Sequence, residues 1–469
     1  MSYVFKITQY VCLIMSGCRI VFIGAGSAKF AANVVRDICL TEGLSGASVA
    51  LVDTDGEKLR AVYRLATSFA SETHANVRFE WSLRQAEVLE GADFVVDTAL
   101  VGGHIQQEAE REVGERHGYY RGLESTDFNM VSDYSTLFQG YKQLKHFSKL
   151  AGDMERLCPD ALLIDVANPE AEIVSLLSRI SKIRVVGYCH GYLHVRDIIR
   201  TLGLEEQRCE YSVAGINHNI WLTRFTYKGE DAYPLLDDWL ERRSSDYWVN
   251  PSADPFDISM SRAAFDMYSM YDAFPIGDTV RSGTWKYHYD FKTKVWWYGP
   301  HGGPDSEASW PRYLKKAEEQ ARRILEFGEK GGVGVTQEFP PVRSGEEIVS
   351  LIDAVVNNRP TRLVLGVKNL GYVGWLPDNV AVEVPVVADA SGVHPEPQRL
   401  PQRVIEYTLK PRIMRLEMAI DGFLHGRLST LIDFAVRDPR THSEKQAEET
   451  IMEILGQPFN SELRDHYLR

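Results

Sequence analysis

The chain has 469 residues, 44% apolar and 25% charged, which is the balance of a globular protein with two or three cores. Its formal net charge of −13 argues against nucleic acid or an anionic membrane surface as the main partner, since both require a basic face. The six cysteines (Cys12, Cys18, Cys39, Cys158, Cys189 and Cys209) form no CxxC pair and read as reduced thiols of a cytoplasmic protein.

Residues 1–17 read as an N-terminal extension. Lys6, Gln9 and Tyr10 interrupt its apolar stretch, which is too short to span a membrane and carries no small-residue cleavage site. From Cys18 onward, short β-branched runs alternate with helical patterns. The runs are RIVFIG (19–24), ASVALVD (47–53), DFVVDTA (93–99), ALLIDVA (161–167) and IRVVGYC (183–189). They lack polar alternation, which predicts strands buried on both faces of a parallel, doubly wound α/β sheet over residues 18–190.

Past residue 190 the rhythm breaks, and residues 191–469 read as a second, α+β domain for substrate binding and oligomerisation. Strands are expected in 211–225, 362–369 and 380–389, helices in KPRIMRLEMAIDGFL and SEKQAEETIMEILG, and a loop in ERRSSDYWVNPSADP (241–255). Helices after residue 400 offer a surface for a homodimer or homotetramer.

The first strand turns into a helix at IGAGSAKF. Gly24 and Gly26 permit the tight turn and the close backbone approach that a pyrophosphate at a helix N-terminus needs. Lys29 stands where the third glycine of GxGxxG would be. Asp53 follows Lys29 by 24 residues, at the end of the second strand, where a carboxylate holds a ribose 2′-hydroxyl and repels a 2′-phosphate. NAD is therefore expected over NADP.

Polar clusters follow the later strands: TALVGGH (98–104), ANPE (167–170), GYCHG (187–191) and GINHN (215–219). Ligands of α/β sheets bind at such strand ends. The amide of Asn168 suits a sugar hydroxyl or a carbonyl. Cys189 and His218 are candidate metal ligands, and His190 with His194, at i,i+4 spacing, form a rival pair. Asp278 and Arg281 sit three apart in a glycine-flanked turn, either as a local ion pair or as catalytic groups.

Taken in order, IGAGSAKF, VGGH, GYYRGLESTDFNMVSDY, ANP, GYCHG, AGINHNIWL, AYPLLDDWL, FPIGDTVRSGTW and RDPRT resemble glycoside hydrolase family 4, most of all its α-glucosidase and α-glucuronidase branch. The resemblance runs from about residue 18 to the C-terminus. It implies a lactate/malate dehydrogenase-like architecture and a hydrolase that needs NAD⁺ and a divalent metal, normally Mn²⁺. In the scheme it implies, NAD⁺ takes hydride from sugar C3, a base takes the C2 proton, the C1–O bond breaks by elimination, water adds to the enone, and the steps reverse with no net redox change.

Residue by residue, the resemblance assigns the metal to Cys189 and His218, the base to Asp278, and sugar hydroxyls to Asn168. It assigns the nucleotide to Gly24, Gly26, Ser27 and Asp53. Tyr271 and Tyr268 are reserve bases, and His104 and Arg281 are further sugar-binding candidates. His190 replaces the acidic residue that follows the metal cysteine in 6-phospho-glycosidases. That argues for an unphosphorylated substrate and leaves His190 to orient a hydroxyl or assist the leaving group. An α-glucoside is the expected substrate. The alternative is an α-glucuronide or α-galacturonide whose carboxylate pairs with Arg281 or Lys286. Two rival readings are an NAD-dependent sugar dehydrogenase built on Asp165, His190 and Arg281, and a non-catalytic NAD-binding sensor.

Overall fold

A computed structural model describes residues 17–123, 138–249, 257–282, 285–329 and 334–469. Residues 1–16 of the N-terminal extension and most of GYYRGLESTDFNMVSDY thus lie outside the described residues.

All five strands expected in the first half form. They are β1 (Arg19–Ile23), β2 (Ser48–Val52), β4 (Phe94–Asp97), β5 (Leu162–Asp165) and β6 (Arg184–Gly187), and their apolar residues are largely buried. A sixth strand, β3 (Arg78–Ser82, RFEWS), has no counterpart in the sequence reading, because this edge strand is mostly exposed and carries charged residues. The six are parallel in the order β3-β2-β1-β4-β5-β6. This is the doubly wound dinucleotide-binding order, with its switch point between β1 and β4. The helices between them include α1 (Ala28–Cys39), α2 (Gly56–Glu72), α3 (Gly103–Arg116), α4 (Phe138–Leu157) and α5 (Glu170–Ile180).

The second half extends the same sheet. A hairpin of β7 (Cys209–Ile216) and β8 (Asn219–Tyr227) is followed by β9 (Glu230–Asp231), β10 (Pro275–Ile276), β11 (Thr361–Lys368), β12 (Ala381–Asp389) and β13 (Gly392–Pro395). The sheet continues past β6 as β11-β12-β7-β8-β10, every added pairing antiparallel. One residue pair, Gly187 with Gly366, joins β6 to β11. A second, Gly215 with Glu383, joins β7 to β12.

The Glu170 carboxyl, buried at the start of α5, occupies the space where a Cβ on Gly187 or Gly366 would stand. The seam between the halves therefore needs glycine on both strands.

The expected loop at 241–255 is instead helical where described, with helices at Tyr233–Arg242 and Ser244–Val249. Leu236 and Trp239 are buried, and the Trp239 ring stacks on Phe265 at 5.2 Å. Within the segment Tyr247 packs edge-on against Trp239 and Trp248 against Phe265, and this packing overrides the Ser/Arg/Asp composition that suggested a loop. Helices Lys410–His425 and Glu444–Leu455 match expectation, and Ser443 caps the latter by accepting a hydrogen bond from Gln446 N at 3.1 Å. Among the described residues all five cysteines are free, and no helix is long and apolar enough to cross a membrane.

Gly366→Ala should lower the unfolding free energy by about 1–3 kcal/mol, the usual cost of overpacking. A urea denaturation cycle with Glu170→Ala checks the cause, because the two losses should be strongly non-additive if the glutamate is what the new methyl meets.

Candidate functional site

The C-terminal ends of β1, β2, β4, β5 and β6 open into a cavity of about 1520 Å³. At its nucleotide end lie Gly24, Gly26, Ser27 and Asp53. Gly24 has φ +78°, and a Cβ there would stand 2.7 Å from Ala99 N, so glycine is required. The Asp53 carboxylate accepts hydrogen bonds from Gly26 N at 2.7 Å and Asp55 N at 2.8 Å. A Cβ on Gly26 would meet it at 2.7 Å. Lys29 falls in the first turn of α1, so the helix forms without the third glycine.

The other candidates line the same cavity: His104, Asn168, Cys189, His190, His218, Asp278 and Arg281. Cys189 lies two residues past β6 and caps a 3₁₀ turn, His190–His194, with Gly191 N donating to its Sγ at 3.3 Å. Burial pushes the Cys189 thiol up, while His218, in hydrogen-bond contact with it, pulls it down. His218 occupies the β7–β8 turn at φ +60°, a left-handed conformation that is costly for a side chain of this size.

Asp278 is placed beside this pair by the pairing of Pro275 and Ile276 with Trp221 and Ile220. Thr279 Oγ1 reinforces that pairing, donating to Ile220 O at 2.8 Å and accepting from Ile220 N at 2.7 Å. Asp278 Oδ2 is then 3.4 Å from His218 Nε2. Burial pushes the Asp278 carboxyl up, but Arg281 first, then His218, His194 and His190, hold it well below the usual carboxylate range.

A buried thiol and a carboxylate thus both lie beside the His218 imidazole, although among the described residues no three such donors are close enough together to hold a metal by themselves. This donor set fits a divalent metal bound at an open position: it offers one soft and one borderline ligand and leaves room for substrate oxygens. The rival pair His190 and His194 does not match it. The 3₁₀ turn takes them off a shared helical face, and His194 Nδ1 is bonded to Asp197 Oδ2 at 2.8 Å. His190 instead has its Nδ1 3.6 Å from Glu346 Oε1, and the Tyr188 hydroxyl donates to Glu346 Oε2 at 3.3 Å.

Arg281 lines the cavity, but both of its terminal nitrogens are engaged. Nη2 is 2.7 Å from Asp278 Oδ1, and Nη1 is 3.1 Å from both oxygens of Asp305. Lys286 does not line the cavity, because it pairs with Asp266 at 2.5 Å. The reserve bases are also outside: Tyr268 donates to Asp237 at 3.1 Å and Tyr271 packs edge-on against Trp221. Asp165 is fully buried beneath the site, and burial and Glu170 push its carboxyl well up, so it has no access to a substrate.

The sequence reading did not single out Tyr313, Gln143 or Asp305. Tyr313 and Trp310 flank His104 edge-on, with ring centroids 5.6 and 5.9 Å away, and Tyr313 reaches the cavity from a helix at Trp310–Glu329. The W-x-x-Y spacing was the available signal. Gln143 is buried and holds the loop after β4, donating to Ala99 O at 2.9 Å and accepting from Val101 N at 2.8 Å.

Behind the His190 turn, Tyr192 donates to Glu347, a carboxyl that burial pushes up to about 7. A carboxyl raised in the fold binds its proton more tightly there than in the unfolded chain. Its contribution is therefore present below pH 4.5 and is lost as the pH rises through about 7. Glu347→Gln should accordingly gain stability relative to the parent between pH 4.5 and pH 8, by about 1–3 kcal/mol. Urea midpoints at both pH values check this, and equal differences at the two would refute it.

Comparison with known proteins adds the family. The sequence model described as Family 4 glycosyl hydrolase matches residues 19–205, and that of the Family 4 glycosyl hydrolase C-terminal domain matches residues 213–441. An alpha-galactosidase of Bacillus subtilis (strain 168) is 25% identical over 436 residues, covering 92% of this chain and 95% of its own. An alpha-galacturonidase of Thermoanaerobacter italicus is 22% identical over 442 residues, covering 91% and 92%. Among solved structures, a 6-phospho-alpha-glucosidase from gut microorganisms in complex with NAD and Mn²⁺ superposes with a TM-score of 0.76 at 17% identity, covering 94% of this chain and 97% of that one.

Proposed function

The chain belongs to family 4 of the glycosyl hydrolases and is a glycosidase, and from that premise we propose that it hydrolyses neutral α-glycosides, α-glucosides foremost, with NAD⁺ and Mn²⁺ as cofactors. The observation that carries this reading is the convergence of Cys189, His218 and Asp278 in the cavity that Gly24, Gly26 and Asp53 also line. The complex of the solved relative with NAD and Mn²⁺ supports the choice of cofactors.

When bound, the two cofactors supply reversible hydride acceptance and Lewis acidity at adjacent sugar carbons. The chain's own groups do the rest. Asp53 receives the adenine-side ribose, and the Gly24–Ser27 turn receives the pyrophosphate. Cys189 and His218 hold the metal, and Asn168 and His104 hold sugar hydroxyls. Asp278, kept ionised by Arg281, accepts the C2 proton. His190, steadied by Glu346, faces the leaving group.

The same geometry favours a neutral sugar. Of the two cations that the uronate reading invokes, Arg281 has its terminal nitrogens committed to two carboxylates and Lys286 lies outside the cavity, while Lys316 beside Tyr313 lines it and is a cation a uronate would have to use instead. The rival dehydrogenase is disfavoured because it leaves the Cys189–His218 contact without a role and requires the inaccessible Asp165.

Matched aryl α-glucoside, α-galactoside and α-galacturonide should distinguish these readings, each assayed with and without NAD⁺, Mn²⁺ and thiol while NADH absorbance is followed. Aryl release from the glucoside that needs all three additives, without NADH build-up, is the expected result. Release indifferent to NAD⁺ and metal, or steady NADH formation without release, would sink the mechanism, and preference for the galacturonide would overturn the substrate. Gly26→Ala should weaken NAD⁺ binding about tenfold or more by calorimetry, because the new methyl displaces Asp53.

A further inference from the structure

Asp278 has two carboxylate oxygens with different neighbours: Oδ1 is 2.7 Å from Arg281 Nη2, and Oδ2 is 3.4 Å from His218 Nε2. This division leaves Oδ2 facing the metal-binding pair. It depends on where the Arg281 guanidinium lies, because the planar group offers its N–H donors in fixed directions.

Asp305 sets that plane. Both of its oxygens accept from Arg281 Nη1 at 3.1 Å, and its side chain is 2% exposed against 6% for Arg281 and 24% for Asp278. Its backbone is fixed in turn, with Arg121 Nε donating to Asp305 O at 3.2 Å. Lys294, also buried, adds a second cation facing Asp305. The chain of contacts therefore runs from a rigid buried loop, through one guanidinium, to the carboxylate in the cavity.

We propose that Asp305 is a positioning residue for Asp278: it locks the Arg281 guanidinium so that Asp278 Oδ2 stays aimed at the reacting carbon beside the metal. This rests on Asp278 as the base, and it gives Arg281 a positioning role in place of direct sugar binding. Asp305 touches no substrate, and its effect passes entirely through Arg281.

The test is a cycle of Asp305→Asn, Arg281→Gln and the double variant, with Asp278→Asn measured alongside. Asp305→Asn should lower kcat about 100-fold, the scale of a catalytic group misplaced by an ångström, while KM and the NAD⁺ dissociation constant change little. The kinetic isotope effect with substrate deuterated at C2 should rise, since proton abstraction becomes the slower step, and that with C3-deuterated substrate should not. A merely structural loss would not separate the two isotopes. The double variant should be no slower than Arg281→Gln alone, a comparison that also serves if Asp305→Asn by itself leaves a buried unpaired cation and folds poorly. Multiplicative losses, or an unchanged C2 isotope effect in a folded Asp305→Asn, would overturn the proposal. Full activity in Asp278→Asn would instead remove the base assignment on which it stands.

Discussion

Cys189 follows β6 and His218 lies in the β7–β8 turn, so their meeting requires β6 and the hairpin to share one sheet. Two single residue pairs make that connection, Gly187 with Gly366 and Gly215 with Glu383, through the full antiparallel ladder of β11 and β12. The parallel half alone would end at β6 with a thiol at its edge. Without the hairpin, that thiol would have no partner from the second half. The glycines at the first seam are dictated by Glu170, whose buried carboxyl fills the volume a side chain would take.

This placement explains why the site is assembled from strand ends and turns rather than from one helix. Each element contributes what its backbone can hold firmly. The β10–β8 pairing and the double hydrogen bond between Thr279 and Ile220 hold Asp278 against His218 to a precision that a free loop would not provide. The left-handed φ of His218 is a local cost that the fold tolerates at a cavity-lining turn.

Charge is distributed in the same manner. Two acids, the buried Asp305 and the cavity-lining Asp278, share the buried Arg281, where unpaired charge is expensive and a fixed pair is directional. The arrangement keeps one carboxylate ionised beside two metal-ligand candidates.

Much was legible in the sequence because it is written in local patterns. Short β-branched runs bounded by turn residues read as strands covered on both faces, and a glycine turn between such a strand and a helix, with Asp53 at the end of the next strand, points to a nucleotide site. The order of the polar clusters was sufficient to identify the family. What escaped was set by partners far along the chain. β3 is an exposed edge whose pairing with β2, not its composition, makes it a strand. The 244–249 segment is helical where Tyr247 packs edge-on against Trp239 and Trp248 against Phe265. Arg281 and Asp305 are separated by 24 residues, and spacing does not reveal that the arginine holds two acids. Local sequence thus determined which chemistry the chain carries. Tertiary packing decided which oxygen, nitrogen and sulfur atoms face one another, because that depends on long-range strand pairing and buried charge rather than on neighbours in sequence.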